Sequence, residues 1–328
     1  MQNNDTFQNR IGYSGDIKPV LLQVCKDYSI GEFITHKVIS MGYEDFNLIL
    51  TSSNGKYFVK MFATFRVDGE SQRYVNVMVK ALEAGVQHPK LFKSSQGYLH
   101  KITADGIQIS LCVMEQIDGV SFYEKNLKAT TDEMRFLVQQ AALINKIDLK
   151  PKPVYDIWAV VHFPEEYKKK REYLNEADIK LIDPLVEQFS AIKVEELPHC
   201  FVHGDIIKTN VMKNKEGKLY IIDFAASSYY PRVQELGVLL CNMLFDEDNL
   251  VTFPEYYKLA LEEYRKHNQL TENEIEVLPL FVKIAHIMHV LCATYEKVAK
   301  GNNTAENEYW INLGRKGLVY TTQSWNLN

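Results

Sequence analysis

Residues Cys200–Ala225 read CFVHGDIIKTNVMKNKEGKLYIIDFA, and this stretch decides the fold. Phe201 and Val202 form an apolar lead-in to His203-Gly204-Asp205. Asn210 stands five residues after Asp205, and Asp223-Phe224 begins thirteen residues after Asn210. Gly217 marks a turn, and Leu219-Tyr220-Ile221-Ile222 reads as a buried strand ending at Asp223. Three oxygen-bearing side chains, those of Asp205, Asn210 and Asp223, thus fall at the ends of strand-like pieces. Phosphoryl transfer from a Mg-bound nucleotide requires such a set. One carboxylate receives a hydroxyl proton, and an amide with a second carboxylate holds the metal. A hairpin with acidic turn caps explains each residue singly but not the ordered set.

The motif resembles the catalytic and metal segments of the aminoglycoside phosphotransferase/choline kinase family, small-molecule kinases with a protein-kinase-like fold. The corresponding protein-kinase motifs are H-R-D-x4-N and D-F-G. Here Gly204 replaces the Arg and Ala225 the Gly, and both changes favour the small-molecule branch. No A-P-E follows Asp223, and Ser227–Arg232 is too short for a full activation segment. The resemblance implies an α+β, two-lobed chain, with a small, mainly antiparallel β N-terminal lobe and a larger helical C-terminal lobe. It implies ATP and Mg2+ as cofactors, Asp205 as the catalytic base, and Asn210 and Asp223 as metal ligands. The alternative is a nucleotide-binding pseudokinase acting as a regulatory module; the joint presence of Asp205, Asn210 and Asp223 weakens it.

Upstream, the period changes to that of strands. Phe33–Ile39, Phe46–Leu50 and Tyr57–Phe62 read as strands, with Asn54-Gly55 as a hairpin turn. By resemblance, the connection Ser40–Asn47 covers the nucleotide, with Gly42 allowing close backbone approach to phosphate. No Walker loop occurs. Lys60, between Val59 and Met61, takes by resemblance the place of the strand-three lysine that contacts nucleotide phosphates. Its other reading is a solvent-facing lysine on an edge strand. A helix over 68–84 follows, with Val75, Val79 and Leu82 on one face. Relatives commonly carry the glutamate that orients the lysine where this chain has Tyr74. Glu70, one turn earlier, is the candidate, and a helix-start carboxylate favoured by the macrodipole is its other reading. Apolar Ile107–Met114 runs into Glu115-Gln116-Ile117. The resemblance makes this the hinge, where backbone groups of Glu115 and Ile117 hydrogen-bond the adenine. Lys208 stands where relatives often have proline, between the base and Asn210. It is expected either beside the transferring phosphate or at the surface.

With 328 residues the chain is long enough for two lobes. The expected division is a tail and leading helix at 1–29, a nucleotide-binding lobe at 30–115, and a helical lobe with the catalytic loop and acceptor site at 116–328. Residues 1–15 are expected as a mobile tail. The net charge of −5 argues against a general nucleic-acid binder. Five widely spaced cysteines without C-x-x-C suggest neither a disulfide framework nor a zinc site. No signal peptide and no run of about 18 apolar residues is visible, so a cytoplasmic enzyme without a membrane span is expected.

Beyond residue 120, helical signals dominate. Thr130-x-x-Glu133 is a capping box, with an apolar stripe of Met134, Leu137, Ala141 and Ile144 behind it. A helix starting at Pro164 carries the basic run Lys168–Arg171, read as a solvated face. Later helices are expected at Val233–Leu244, Pro254–His267, Glu272–Lys300 and Glu308–Leu318. His286 and His289 are three apart, but no third ligand accompanies them in sequence, so packing or substrate-facing roles are favoured over metal binding. Residues 235–276 carry ten acidic and three basic side chains. They read as solvated faces, or as a wall suited to an amine-bearing acceptor. The expected partner is a small-molecule hydroxyl acceptor, such as an aminoglycoside, an amino alcohol or an amino acid.

Overall fold

Alternating burial in Phe46–Ser52 puts Phe46, Leu48, Leu50 and Ser52 on one inward face, the period-two pattern of a half-buried strand. The computed structural model describes residues 7–39, 44–66 and 69–325. The chain forms two compact units: Met1–Glu83 with Gln87–Gly119 and Asn214–Ile222, and Ala84–Val86 with Val120–Lys213 and Asp223–Asn328. The two units interleave along the chain, with Asn214–Ile222 in the first and Ala84–Val86 in the second.

In the first unit, helix α1 (Ile17–Asp27) is capped by Asp16, whose side chain accepts the Lys18 N–H at 2.9 Å. Strands β1 (Phe33–Ile39), β2 (Phe46–Ser52) and β3 (Gly55–Met61) form an antiparallel ladder. Gly55 opens β3 at φ 142°, a region that side chains rarely adopt, so Asn54-Gly55 makes the expected hairpin turn. Helix α2 (Glu70–Glu83) follows and buries Tyr74, Val75, Val77, Met78 and Ala81. The sheet is completed by β4 (Leu91–Phe92), β5 (His100–Ala104) and β6 (Ile107–Glu115), in the order β1-β2-β3-β6-β4 with β5 also on β6. Val20, Leu21 and Val24 of α1 pack with Leu48, Leu50, Val59 and Leu111 of the sheet in one core. Part of the expected tail is built into that core. Ile11 and Tyr13 are buried there, and Tyr13 donates its hydroxyl to Asp105 at 3.2 Å. Phe7 packs against the same core, so apolar side chains anchor the described part of this segment.

The second unit is helical. After β7 (Gly119–Ser121), the capping box at Thr130 and Glu133 opens α3 (Thr131–Ile144) as expected. Helix α4 (Phe163–Lys170) carries the basic run, but Lys170 is not solvated: it is buried, with Nζ 2.6 Å from Glu166. Helix α5 (Glu176–Ser190) was not anticipated; acidic residues and Pro184 interrupt its apolar period, yet Ile182, Leu185 and Phe189 are buried. Strand β8 (His199–Val202) precedes β9 (Val211–Asn214) and then β10 (Leu219–Ile221), which belongs to the first unit. It pairs antiparallel with β11 (Ser228–Pro231). Then follow α6 (Val233–Cys241), α7 (Phe253–Arg265), α8 (Glu272–Lys300) and α9 (Ala305–Gln323). Helix α8 is long and apolar enough to cross a membrane by composition, but 78% of its apolar window is buried inside the protein, as in a core helix.

Candidate active site

The loop after β8 turns because Gly204 adopts φ +78°, which explains glycine at this position of the motif. His203 is fully buried, its ring 4.4 Å from that of Phe224, and its Nδ1 accepts the Asp205 N–H at 3.2 Å. Asn210 donates Nδ2 to the Asp205 carboxylate at 2.6 Å and to the Asp205 carbonyl at 3.1 Å. One amide thus fixes both the side chain and the backbone of the proposed base. Asp223 sits at φ +65°, a strained conformation for a residue with a Cβ and one that clusters at functional sites. Its Oδ1 accepts the Ala225 N–H at 3.3 Å.

The electrostatics suit a cation. Burial, and then the charges of Asp156, Asp223 and Glu235, push the Asp205 carboxyl well above its usual range, against the Asn210 hydrogen bond. Carboxylates crowded with an amide oxygen form a hard donor set, which fits Mg2+ and not a thiophilic ion. Asp156 was not anticipated, since nothing in its local sequence marks it; its Oδ1 accepts the Trp158 N–H at 2.9 Å.

Glu235 was also missed as a site residue. From α6 its Oε2 accepts the His203 N–H at 2.6 Å and the Gly204 N–H at 3.4 Å, which clamps the loop. Burial pushes its carboxyl up to about 7, against those hydrogen bonds. In the unfolded chain it titrates near the ordinary glutamate value of about 4.3. Between these values the folded chain holds a proton that the unfolded chain has lost. The resulting stability is full below the lower value, falls as pH rises through the window, and is gone above the upper one. Glu235→Gln should therefore gain stability relative to wild type between pH 5 and 7.5, by up to about 3 kcal/mol. Urea unfolding of both proteins across that range measures it, and parallel pH profiles would contradict the assignment.

In the first unit, Lys60 lies on β3, buried, in register with Asn47 and Cys112. Its Nζ is 2.9 Å from Asp45 Oδ2 and 5.0 Å from the centre of the Tyr74 ring. Asp45 also accepts Arg66 Nε at 2.8 Å and the Ala63 N–H at 3.1 Å. Burial raises the Asp45 carboxyl, but Lys60 and Arg66 outweigh it and hold the group well below the usual range. A carboxylate that the fold sets against this lysine thus comes from the residue just before β2. Glu70 is the first residue of α2 and half-buried. Gly42 lies outside the described residues. Glu115 ends β6, its N–H donating to the Lys90 carbonyl at 2.8 Å. Ile117 is buried, and its carbonyl accepts the Gly119 N–H at 3.0 Å.

Lys208, expected beside the phosphate or at the surface, is 2% exposed and turned into the helical unit. Its Nζ is 3.1 Å from Glu247 and 2.8 Å from the Tyr309 hydroxyl. Both partners line a cavity of about 470 Å³ together with Tyr123, Glu124, Asp248 and Lys316. The acidic run is largely consumed by internal pairs: Asp246 and Glu247 with Lys128, Glu263 with Lys266, and Glu274 with Arg232. All five cysteines are free.

A sequence profile described as "Phosphotransferase enzyme family" matches residues 35–270. The chain is 21% identical to a homoserine kinase of Parvibaculum lavamentivorans over 276 residues, 83% of each chain. It is 20% identical to a homoserine kinase of Rhizobium meliloti over 288 residues, 87% of this chain and 86% of that one. Among solved structures, it is similar to the amicoumacin kinase hAmiN in complex with AMP-PNP, Ca2+ and Ami, with TM-score 0.66, 16% identity and 94% of each chain covered. It is also similar to a microcompartment-associated aminopropanol kinase, with TM-score 0.67, 10% identity, and 94% of this chain and 97% of that one covered. At such identities these structures establish the α+β, protein-kinase-like fold class.

Proposed function

The chain belongs to the phosphotransferase enzyme family and is a small-molecule kinase, and from that premise we propose that it moves the γ-phosphoryl group of ATP to the hydroxyl of a small amino acid of the homoserine type. The observation that carries the reaction is Asp205 held by Asn210 on the clamped loop after β8, together with Asp223 at φ +65° after β10. Asp205 receives the acceptor's hydroxyl proton as the new O–P bond forms and the bond to the ADP oxygen breaks. The burial and neighbouring carboxylates that raise its proton affinity suit it to that task. Asn210 and Asp223 are the residues to hold Mg2+, which when bound neutralises phosphate charge. Lys60, oriented by Asp45, balances charge on the nucleotide phosphates, and Glu70 is a further candidate for that support. Gly42 covers the nucleotide, and backbone groups of Glu115 and Ile117 meet the adenine. Such an enzyme works where ATP is plentiful, in the cytoplasm.

The acceptor reading rests on the relatives named homoserine kinase and on the cavity of about 470 Å³ in the helical unit. Its lining carries both signs, with Glu124 and Asp248 to face an ammonium and Lys316 to face a carboxylate. Lys208 joins that wall to the catalytic loop. Kinetics with homoserine, ethanolamine and an aminoglycoside test this reading. Homoserine should give the highest kcat/KM. Preference for ethanolamine would remove the carboxylate part of the reading, and preference for the aminoglycoside would remove the amino-acid class.

A further inference from the structure

The helical unit holds three ligand-type side chains that phosphoryl transfer does not use. Cys241 ends α6, and His286 and His289 lie on α8. All three are buried, and their ligand atoms lie within 4.8 Å of one another. The sequence shows a histidine pair without a third ligand; the fold supplies the third from a different helix. Neither ring nitrogen of His286 has a hydrogen-bond partner among the described residues, nor has Nδ1 of His289. His286 is 0% exposed. A buried polar group left unpaired costs about 1–3 kcal/mol, so two adjacent buried rings call for a partner to which each turns one nitrogen.

The surroundings are shaped to these rings. A Cβ on Gly317 of α9 would fall 2.0 Å from the His286 ring, and one on Gly314 would fall 2.9 Å from His289 Cβ. The two helices close over the imidazoles only because both positions lack side chains. Phe245 packs edge-on against His286 at 4.8 Å, and Trp310 stacks on His289 at 5.3 Å, which fixes the ring planes. Burial keeps both imidazoles neutral, the form that ligates a metal; His289 also feels the Lys208 charge. One thiol and two imidazoles make a borderline-soft donor set, suited to zinc and unlike the oxygen set around Asp205.

We propose that Cys241, His286 and His289 bind Zn2+ within the helical unit as three of the ion's four ligands. Cys241 Sγ now donates to the Val238 carbonyl at 3.2 Å. Zinc binding replaces that S–H with a Zn–S bond and releases the proton to solvent. Zn–S and Zn–N bonds of about 2.3 and 2.0–2.1 Å require the ligand atoms, now within 4.8 Å of one another, to draw closer. The ion ties α6 to α8, and α6 is the helix whose Glu235 clamps the catalytic loop.

The test uses untagged full-length protein, grown with added zinc and purified without chelator. Elemental analysis should find equimolar zinc. After chelator treatment, Co2+ titration should produce a thiolate-to-cobalt charge-transfer band, and Zn2+ should raise the unfolding temperature. Cys241→Ser should abolish the band and His289→Gln should weaken it. Wild-type protein that takes up no zinc and shows no such band would overturn the proposal, as would a band that survives in Cys241→Ser. If the cysteine variant does not fold, the wild-type titration decides alone.

Discussion

Asp205→Asn should lower kcat by about 10²–10⁴-fold while leaving the KM for ATP within a few-fold of wild type. The substitution keeps the shape of the side chain, and the asparagine oxygen can still accept the Asn210 Nδ2 hydrogen bond seen at 2.6 Å. It removes the carboxylate proposed to receive the acceptor's proton. It also removes a charge from a site where Asp156, Asp223 and Glu235 already raise Asp205. The variant should therefore unfold at the same or a higher temperature than wild type. An inactive but undiminished protein is the signature of a chemical role. Loss of activity together with a lower unfolding temperature would mark Asp205 as structural, and unchanged kcat would remove it from the reaction. Steady-state kinetics and thermal unfolding of the same preparation give both readouts.

The second large effect concerns the first unit. Asp45→Asn should reduce kcat/KM for ATP by about 10²-fold, the scale on which misplacing a positioned group by about 1 Å acts. Asp45 is buried against Lys60 at 2.9 Å and Arg66 at 2.8 Å. Without its charge, the lysine loses an ion-pair partner that helps to set its direction. Lys60→Ala should cost as much or more. The double variant should be no worse than Lys60→Ala alone, because Asp45 acts through Lys60. Additive losses would show that Asp45 works by another route. A Lys60→Ala enzyme with normal kinetics would instead refute the role given to the lysine itself. KM for the acceptor should stay unchanged throughout, which a general structural failure would not allow.

Local signals in the sequence go far for this chain, because its elements obey their local chemistry. Strand alternation at Phe46–Ser52, the Asn54-Gly55 turn and the Thr130 and Glu133 box all act over a few residues, and each appears where its signal stands. Helix α8 runs from Glu272 to Lys300 as its pattern predicts. The motif around Asp205 is legible for a different reason: the chemistry needs fixed residue types at short spacing. What escaped the sequence are partnerships made by tertiary approach. Asp45 reaches Lys60 across a strand pair, Glu235 reaches the His203 amide from a later helix, and Cys241 meets His286 between two helices. None of these carries a local signature, since burial and a specific neighbour define the role. Lys208 shows the same limit, because sequence leaves open where its long side chain points and the fold aims it at Glu247 and Tyr309. The short strand β7 and helix α5 were missed for want of length or of a clean apolar period.

The central claim, phosphoryl transfer to a small hydroxyl compound, is tested most directly by ADP release from ATP and Mg2+. The assay runs with and without each member of a panel of hydroxyl amino acids, amino alcohols, aminoglycosides and sugars, with product identified by phosphorus NMR. Homoserine or a close analogue should stimulate ADP release, with a phosphate monoester of that compound appearing in equal amount, and Asp205→Asn should abolish both. Tight ATP binding with no stimulation and no phosphate monoester across the panel would contradict the account and favour a nucleotide-binding module.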